Sequence, residues 1–343
     1  MKIFNNPLVR VIAAFLFVGV LSLSIYSVRS NVLAAPDFPT ETIEAKSPVV
    51  VIEIPTGATG SEVGRILFEN NVTKSVLAYF RAAVADPRSA QVAPGAHELN
   101  VEISARQALE QLLDPARIPN LIKIFEGGWK SEIVDSLIKY GFTKNEIDTA
   151  FKKVVLPEGF SNAEGLLFPA QYSFPAGTSA LGAVQAMVDR FLDEVTGQQM
   201  LAAKGKLTPV QLLIIASLIQ AEGDTKDFDK VSRVIRNRLD ISMPLQLDSS
   251  VHYVKKVRGQ IFLSTNSTLI KSPYNTYRNY GLPPTPIGNP GAQAIAAALK
   301  PAIGDWLFFI TVAPGDTRFT RSNDEFLTWK ALYEKNRKAG AFK

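Results

Sequence analysis

The chain has 343 residues, of which 46% are hydrophobic and 20% are charged, and this balance is typical of a globular protein with room for two domains. The absence of cysteine excludes disulfides, thiolate metal sites and a cysteine nucleophile, and with only two histidines no metal site or cofactor is expected. The net charge of +5 suits work near anionic membranes or acidic polymers and does not indicate nucleic acid binding.

The first segment of the chain is a candidate membrane anchor. Residues 11–28 carry no charge and are long enough to cross a bilayer, and Lys2 and Arg10 precede them. We expect residues 1–33 to form a cytoplasmic N-terminus and a single-pass anchor in the plasma (inner) membrane, with the rest outside the cytoplasm. A cleaved signal is the alternative, with Val32 and Ala34 as small residues before the cut. The apolar run is longer than a typical signal core, which favours the anchor.

A linker and a small α+β domain follow. Residues 34–47 are rich in proline, threonine and charge, which predicts an extended linker. Residues 48–118 are predicted to alternate strand and helix twice. The strands are expected at 49–55 and 98–104, and the helices at 59–72 and 105–114.

An internal repeat links this domain to the next part of the chain. Residues 54–72 align without gaps with residues 124–142, and both segments read as a strand, a glycine turn and a capped helix. Such α+β units resemble LysM-type glycan-binding modules, although the pattern is also a common solution for packing one helix on a small sheet. The matched pairs are Ile54/Ile124, Gly57/Gly127, Ser61/Ser131, Glu62/Glu132, Val63/Ile133 and Leu67/Leu137.

Glu222 is a charged residue near the end of a predicted helix that is otherwise mostly apolar. A helix is predicted from the Thr208 N-cap onward, and its 3.6-residue period places Glu222 above Leu218 and Ile219, on the apolar face. Burial raises the pKa of a carboxyl group, and a raised pKa is what a general acid needs near neutral pH. The alternative is that Gly223 ends the helix at once and leaves the carboxylate in solvent.

The segments after Glu222 supply polar and aromatic side chains. A helix is predicted over 227–240, with Asp227 as its N-cap and four buried side chains, Val231, Val234, Ile235 and Leu239. Residues 272–291 are dense in proline, glycine, asparagine and tyrosine, which predicts a long functional loop. A carboxylate flanked by amides and tyrosines suits a sugar, since tyrosine rings stack on pyranose faces and amides pair with hydroxyl and acetamido groups. The candidate sugar-binding residues are Gln246, Asp248, Tyr274, Asn275 and Tyr277.

The order and spacing of these segments resemble those of the YceG-like endolytic murein transglycosylases. The resemblance rests on the strings at 164–177, 216–223, 242–254 and 272–284, and it covers nearly the whole chain. It implies an α+β protein overall, with a mixed α+β catalytic domain over residues 119–343 after the anchor and the LysM-like domain.

The chain also departs from the pattern of that family. Gln220-Ala221-Glu222 stands where Glu-x-Glu is common, so the resemblance assigns catalysis to Glu222 and removes an auxiliary carboxylate. Ala170-Gln171 replaces Asp-Thr, and Thr285 replaces a glycine. Phe326 stands where a histidine is usual, so no catalytic role is expected at the C-terminal end.

The resemblance implies a lyase reaction on peptidoglycan. Glu222 would protonate the leaving oxygen of the β-1,4 bond between N-acetylmuramic acid (MurNAc) and N-acetylglucosamine (GlcNAc). It would then act as base for the muramoyl C6 hydroxyl, giving 1,6-anhydro-MurNAc ends and terminating glycan elongation. The implied partners are peptidoglycan glycan strands, peptidoglycan synthases (penicillin-binding proteins) and the membrane, through one helix.

Three alternatives stay open from the sequence. Gln246, Asn275 and Tyr277 could brace the long loop instead of binding sugar. Asp248 is expected to cap a turn; as a second carboxylate it would make the enzyme a muramidase-type hydrolase. A non-catalytic murein-binding anchor is the third function class.

Overall fold

A computed structural model describes residues 35–40, 47–55, 57–119, 121–175, 177–258 and 264–342. The predicted anchor at residues 11–28 lies outside these ranges. Within them, no helix is both long and apolar enough to span a bilayer. The described chain forms two compact units. The first unit comprises the described residues up to Pro119 together with residues 173–175, and the second comprises the remaining residues from 121 onward.

The described part of the first unit is an antiparallel two-stranded sheet with three α-helices. Strand β1 (Val49–Ile54) pairs with β2 (Gly95–Asn100), and Val49 lies opposite Asn100. Two helices, α1 (Gly60–Glu69) and α2 (Val76–Ala85), connect the strands, and α3 (Ala105–Leu113) follows them. The buried core includes Leu67, Leu99 and Leu112, each no more than 1% exposed.

The second strand begins and ends earlier than the predicted 98–104. The backbone after Asn100 leaves the sheet, because the amides of Glu102 and Ile103 donate to the carbonyls of Asn71 and Val72. Ser104 then caps α3. The segment between strand and helix is therefore committed to the α1–α2 connection.

Part of the predicted linker is fastened to the first unit. The Asp37 carboxylate accepts a hydrogen bond from the Ala105 amide at 2.9 Å, at the N-terminus of α3. The Ser75 hydroxyl donates to the carbonyl of Pro36 at 2.8 Å. Residues 35–40 form neither helix nor strand, and specific hydrogen bonds hold them to the first unit.

In the described residues, the second unit is mainly helical, with two small antiparallel sheets. Strands β3 (Ile122–Lys123) and β4 (Gln171–Tyr172) form one, and β5 (Phe308–Ala313) and β6 (Asp316–Thr320) form the other. The helices in chain order are α4 (Lys130–Tyr140), α5 (Lys144–Lys153), α6 (Ala180–Asp193), α7 (Val195–Leu201), α8 (Pro209–Glu222), α9 (Phe228–Asp240), α10 (Asp248–Lys255), α11 (Thr265–Thr268), α12 (Ala292–Leu299) and α13 (Asn323–Lys338). The α+β class expected from the sequence is confirmed.

Helix α8 is the central element of the second unit. It packs against α7, α9, α10 and α12, and its residues from Leu212 to Ile219 are all buried. A helix that is apolar on every side needs neighbours all round, which explains this position. Its start is fixed by the Thr208 cap with Pro209 in the first turn, as predicted.

The long loop predicted over 272–291 carries no helix or strand in the structure. Asn289 anchors its end: the fully buried side chain accepts from the amides of Gly165 and Leu167, each at 2.9 Å, and donates to the carbonyl of Gly128 at 2.8 Å. One asparagine therefore joins three distant segments of the second unit, and it places the Glu126–Gly128 turn beside α8.

Candidate active site

Glu222 is the last residue of α8, and Gly223 ends the helix. The helix does end where the solvated alternative required, but the carboxylate is held and half-buried. Its Oε1 accepts a hydrogen bond from the Ser249 amide at 3.1 Å, at the start of α10. The apolar face beneath it is fully buried at Ile215, Leu218 and Ile219, as predicted.

The surroundings of Glu222 favour its protonated form near neutral pH. Burial raises the pKa of Glu222 to about 7, and the negative charge of Asp248 adds to the rise. The hydrogen bonds from Ser249 and the positive charge of Arg238 act in the opposite direction. The group can therefore release a proton and, once ionised, has neighbours that stabilise the carboxylate.

Asp248 does not cap a turn, so that part of the prediction is wrong. Leu247 holds the cap position, and Asp248 is the first residue of α10. Its carboxylate accepts a hydrogen bond from the hydroxyl of Tyr277, a residue of the long loop. Burial and this bond raise the pKa of Tyr277, so the phenol stays protonated and donates to Asp248. The structure thus brings Glu222, Asp248 and Tyr277 into one electrostatic cluster.

The other predicted sugar-binding residues occupy different positions. Asn275 is fully buried, and its amide donates to the carbonyls of Thr268 and Ile270 while its Oδ1 accepts from the Tyr277 amide. No donor remains for a sugar, which favours the bracing alternative. Gln246 is exposed, with a left-handed φ of 48°. The hydroxyl of Tyr274 is hydrogen-bonded to that of Thr285 at 2.8 Å. Thr285, which replaces the glycine of the family pattern, therefore provides a hydrogen-bond partner for Tyr274 within the long loop.

Arg238 is a site residue that the sequence reasoning missed. It is 7% exposed; Nε donates to the carbonyl of Leu307 at 2.6 Å and Nη1 to that of Leu245, just before α10. Leu239, which was expected to be buried, is only half-buried. The signal was present in the spacing, because position 238 continues the series Val231, Val234 and Ile235 at helical intervals.

A cleft of about 270 Å³ lies beside the end of α8. The residues that line it include Glu126, Trp129, Gln220, Ser249, His252 and Arg258. The guanidinium of Arg258 lies 4.0 Å from the centre of the Trp129 ring, a cation–π contact. The second copy of the internal repeat therefore supplies a wall of the cleft, which the sequence did not reveal.

Glu164 is a second carboxyl group with perturbed chemistry. It is 6% exposed; one oxygen accepts from the Lys130 amide at 2.9 Å and the other from the Tyr253 hydroxyl at 3.1 Å. Burial raises the pKa of Glu164 to about 7. Both oxygens are engaged by protein groups, so this carboxyl holds the start of α4 to α10.

Comparisons with known proteins identify the family of this chain. The model of the YceG-like family matches residues 52–331. An endolytic murein transglycosylase of Bacillus subtilis (strain 168) is 31% identical over 316 residues, 85% of this chain and 87% of that protein. A protein of the same name from Streptococcus pneumoniae serotype 2 (strain D39) is 34% identical over 172 residues, 47% of this chain and 30% of its own.

A solved structure supports the fold. The yceG-like protein lmo1499 from Listeria monocytogenes has a TM-score of 0.54 and 24% identity, and the match covers 82% of this chain and 98% of that one. The family model spans most of the chain, and the Bacillus relative is matched over most of its length. The chain therefore belongs to the YceG-like family.

Proposed function

We propose that this protein is an endolytic peptidoglycan lytic transglycosylase. It cleaves the β-1,4 bond between MurNAc and GlcNAc within glycan strands and leaves 1,6-anhydro-MurNAc ends. Two relatives named endolytic murein transglycosylase support the reaction class. One observation supports Glu222 as the catalytic residue: its carboxyl group is half-buried beside a cleft, and its pKa is raised to about 7.

In the first step Glu222 acts as a general acid. Its proton passes to the glycosidic oxygen as the bond from that oxygen to muramoyl C1 breaks, and the GlcNAc end leaves as an alcohol. A pKa near 7 keeps a large fraction of the enzyme protonated at neutral pH. The apolar residues beneath the carboxyl maintain that state because they supply no hydrogen bond to the charged form.

In the second step the ionised Glu222 acts as a base. It takes the proton of the muramoyl C6 hydroxyl as that oxygen bonds to C1, so the carboxyl regains its proton and no water is consumed. Proximity favours the internal hydroxyl over bulk water. The Ser249 amide and the charge of Arg238 stabilise the carboxylate between the two steps.

Asp248 supports this chemistry from its bond to Tyr277. A hydrolase would need Asp248 free to hold a water molecule or to attack C1. Its carboxylate instead accepts from the phenol hydroxyl, and its charge raises the pKa of Glu222. We assign Asp248 and Tyr277 to tuning and bracing Glu222.

The cellular setting is also proposed. An anchor at residues 11–28 would place both units outside the cytoplasm, and a LysM-like first unit would hold the enzyme on glycan strands near the peptidoglycan synthases while it ends their elongation. The charge pattern around residues 11–28 supports the orientation. N-terminal sequencing of membrane-extracted protein tests the anchor, since a first residue near Ala35 would contradict it.

One digest tests the reaction and the acid together. Purified murein is incubated with the protein, and the fragments are analysed by mass spectrometry. We expect anhydro-muramoyl ends, lighter by one water than reducing ends. Glu222→Gln should keep binding and lose cleavage by about 10² to 10⁴-fold, because the amide cannot donate a carboxylic proton.

Two further variants serve as controls. Glu164→Gln makes the same chemical change at another buried carboxyl and should still cut. Asp248→Asn should cut far faster than Glu222→Gln. Fragments with reducing muramic acid ends and an Asp248→Asn variant as slow as Glu222→Gln would establish the hydrolase instead. Cleavage by Glu222→Gln at the wild-type rate would show that Glu222 is not the general acid.

A further inference from the structure

Gln220 occupies a special place in the site. It lies one half-turn before Glu222 on α8, is half-buried, and lines the cleft of about 270 Å³. Its Oε1 accepts a hydrogen bond from the Gly291 amide at 3.0 Å, where the long loop meets α12. Because the Gly291 amide is a donor, the end of the Gln220 side chain that faces it is the oxygen Oε1, and the other end is the nitrogen Nε2.

The bond to Gly291 leaves the other end of Gln220 without a partner. The oxygen and nitrogen of a carboxamide point in different directions in one plane, so Nε2 is turned away from Gly291. Within the described ranges, no protein group accepts a hydrogen bond from Nε2. The result is an oriented donor with two hydrogens on a residue of the cleft wall.

Another cleft residue also carries an unused polar atom. His252 Nε2 is shielded from solvent and has no hydrogen-bond partner in the part of the chain that the structure describes. Buried polar atoms are normally paired, and unpaired ones at a cleft are satisfied when a ligand or an ordered water arrives. The wall beside Glu222 is therefore prepared for a polar ligand.

We propose that Gln220 positions the substrate by donating a hydrogen bond from Nε2 to the carbonyl oxygen of an acetamido group on the glycan. The inference rests on the proposed function and concerns a position where this chain departs from the Glu-x-Glu that is common in the family. The contact assigned to Gln220, and the preference for N-acetylated sugar that it gives, therefore belong to this chain. An –NH₂ group only donates, and a carbonyl oxygen only accepts, so the two are matched. A hydroxyl group would be served equally by a donor or an acceptor and would not need an amide at this position.

A glutamate at position 220 separates the two ends of this side chain. Its first oxygen can still accept from the Gly291 amide, but its second oxygen has no hydrogen to donate and repels a carbonyl. Gln220→Glu therefore keeps the internal bond and removes the donor. Gln220→Met removes both, since a thioether is at most a weak acceptor.

The test compares N-acetylated glycan strands with the same strands after chemical de-N-acetylation, for wild type and both variants. We expect wild type to cleave the acetylated strands with at least a 10-fold higher kcat/KM. Gln220→Glu should lose roughly 10- to 100-fold on acetylated strands, mainly in KM, as expected when a buried polar partner is left unpaired. On de-N-acetylated strands it should lose little, because the carboxylate faces an ammonium group. Re-acetylated strands should restore the wild-type preference.

Stability measurements separate a purely structural role. Gln220→Met should lower Tm because the Gly291 amide loses its acceptor, whereas Gln220→Glu should keep it. If Gln220→Glu cleaves acetylated strands at the wild-type rate, or loses equally on both substrates, the inference is wrong while the proposed function stands. A wild-type protein that cuts neither substrate overturns the proposed function and this inference with it.

Discussion

The two copies of the strand–turn–helix repeat have nearly the same local structure. Gly57 and Gly127 have left-handed φ values of 76° and 75°. At the helix starts, the carboxylates of Glu62 and Glu132 each accept the N-cap amide at 2.7 Å. Leu67 and Leu137, the matched leucines on the inner face, are both fully buried. The alignment seen in the sequence is thus confirmed as a repeated local fold.

The copies differ in how the start of the helix is completed. In the first copy the Thr59 hydroxyl accepts from the Glu62 amide at 3.3 Å, so the cap is entirely local. In the second copy Trp129 stands at the cap position, and an indole has no acceptor to offer. The distant Glu164 accepts from the Lys130 amide instead. A local motif becomes part of a site when residues far along the chain complete it.

The largest effect expected from this difference is a pH dependence of stability confined to the second copy. The pKa of Glu164 is raised from 4.5 to about 7 by burial, so the folded state binds its proton more tightly than the unfolded chain. Its contribution is fully present below pH 4.5 and is lost as pH rises through 7. Glu164→Gln, which resembles the protonated form, should remove up to about 3 kcal/mol of stability change between pH 5 and pH 8.

The measurement is denaturant unfolding of the full-length protein at a series of pH values. Glu222 has a raised pKa as well, so Glu222→Gln and the double variant are needed to separate the two contributions. A parallel fall of stability with pH in wild type and Glu164→Gln would show that Glu164 is ionised in the folded protein. Glu62→Gln, in the first copy, is the matched control and should leave the pH profile unchanged over this range.

The sequence predicted what depends on neighbouring residues. The Thr208 cap lies where the pattern placed it, and the apolar face under Glu222 is buried as the helical period required. Local chemistry sets these features, because a cap or a buried face needs only residues a few positions apart. The end of β2 was misplaced because bonds to Asn71 and Val72 decide it.

A second prediction compares the two turn glycines. A Cβ at Gly57 would meet nothing within 4 Å, and one at Gly127 would meet Gln220 Cγ at 3.4 Å, an ordinary contact. Either alanine should therefore destabilise its unit by roughly 1–2 kcal/mol through backbone strain alone. Only Gly127→Ala should also lower kcat/KM, because its carbonyl accepts from Arg258 and its amide donates to the Asn289 carbonyl.

Thermal unfolding and murein cleavage of both variants check this pair. Gly205→Ala is the control without strain, since Gly205 is not left-handed and has open space around it. Equal activity in the two turn variants would mean that the second turn, like the first, serves only to connect strand and helix.

Most of the site itself lay beyond sequence reasoning. The sequence indicated Glu222, but not that the Ser249 amide holds it or that the charge of Arg238 acts on it. Ser249 is 27 positions from Glu222 along the chain, and Arg238 is 16 positions from it, so no short pattern encodes these interactions. Asn275 shows the opposite error, since a residue type suited to sugar is fully used in bracing its own loop.

The smallest expected effect concerns the matched glutamates of the two helices. Among the described residues, Glu62 caps α1 and has no hydrogen-bond or ion-pair partner beyond its own turn, whereas Glu132 also forms an ion pair with Arg258, a cleft residue. Burial acts to raise the pKa of Glu132, but the bonds from Arg258 and the Trp129 amide hold that pKa below its ordinary value. Glu132→Gln should free Arg258 and lower kcat/KM on murein roughly threefold, since partly exposed ion pairs contribute little energy. Glu62→Gln should leave kcat/KM unchanged. Raising the salt concentration should reduce the difference between wild type and Glu132→Gln, because screening weakens the same ion pair. If both variants have wild-type kcat/KM at low salt, the position of Arg258 is set by the Trp129 ring and the Gly127 carbonyl alone.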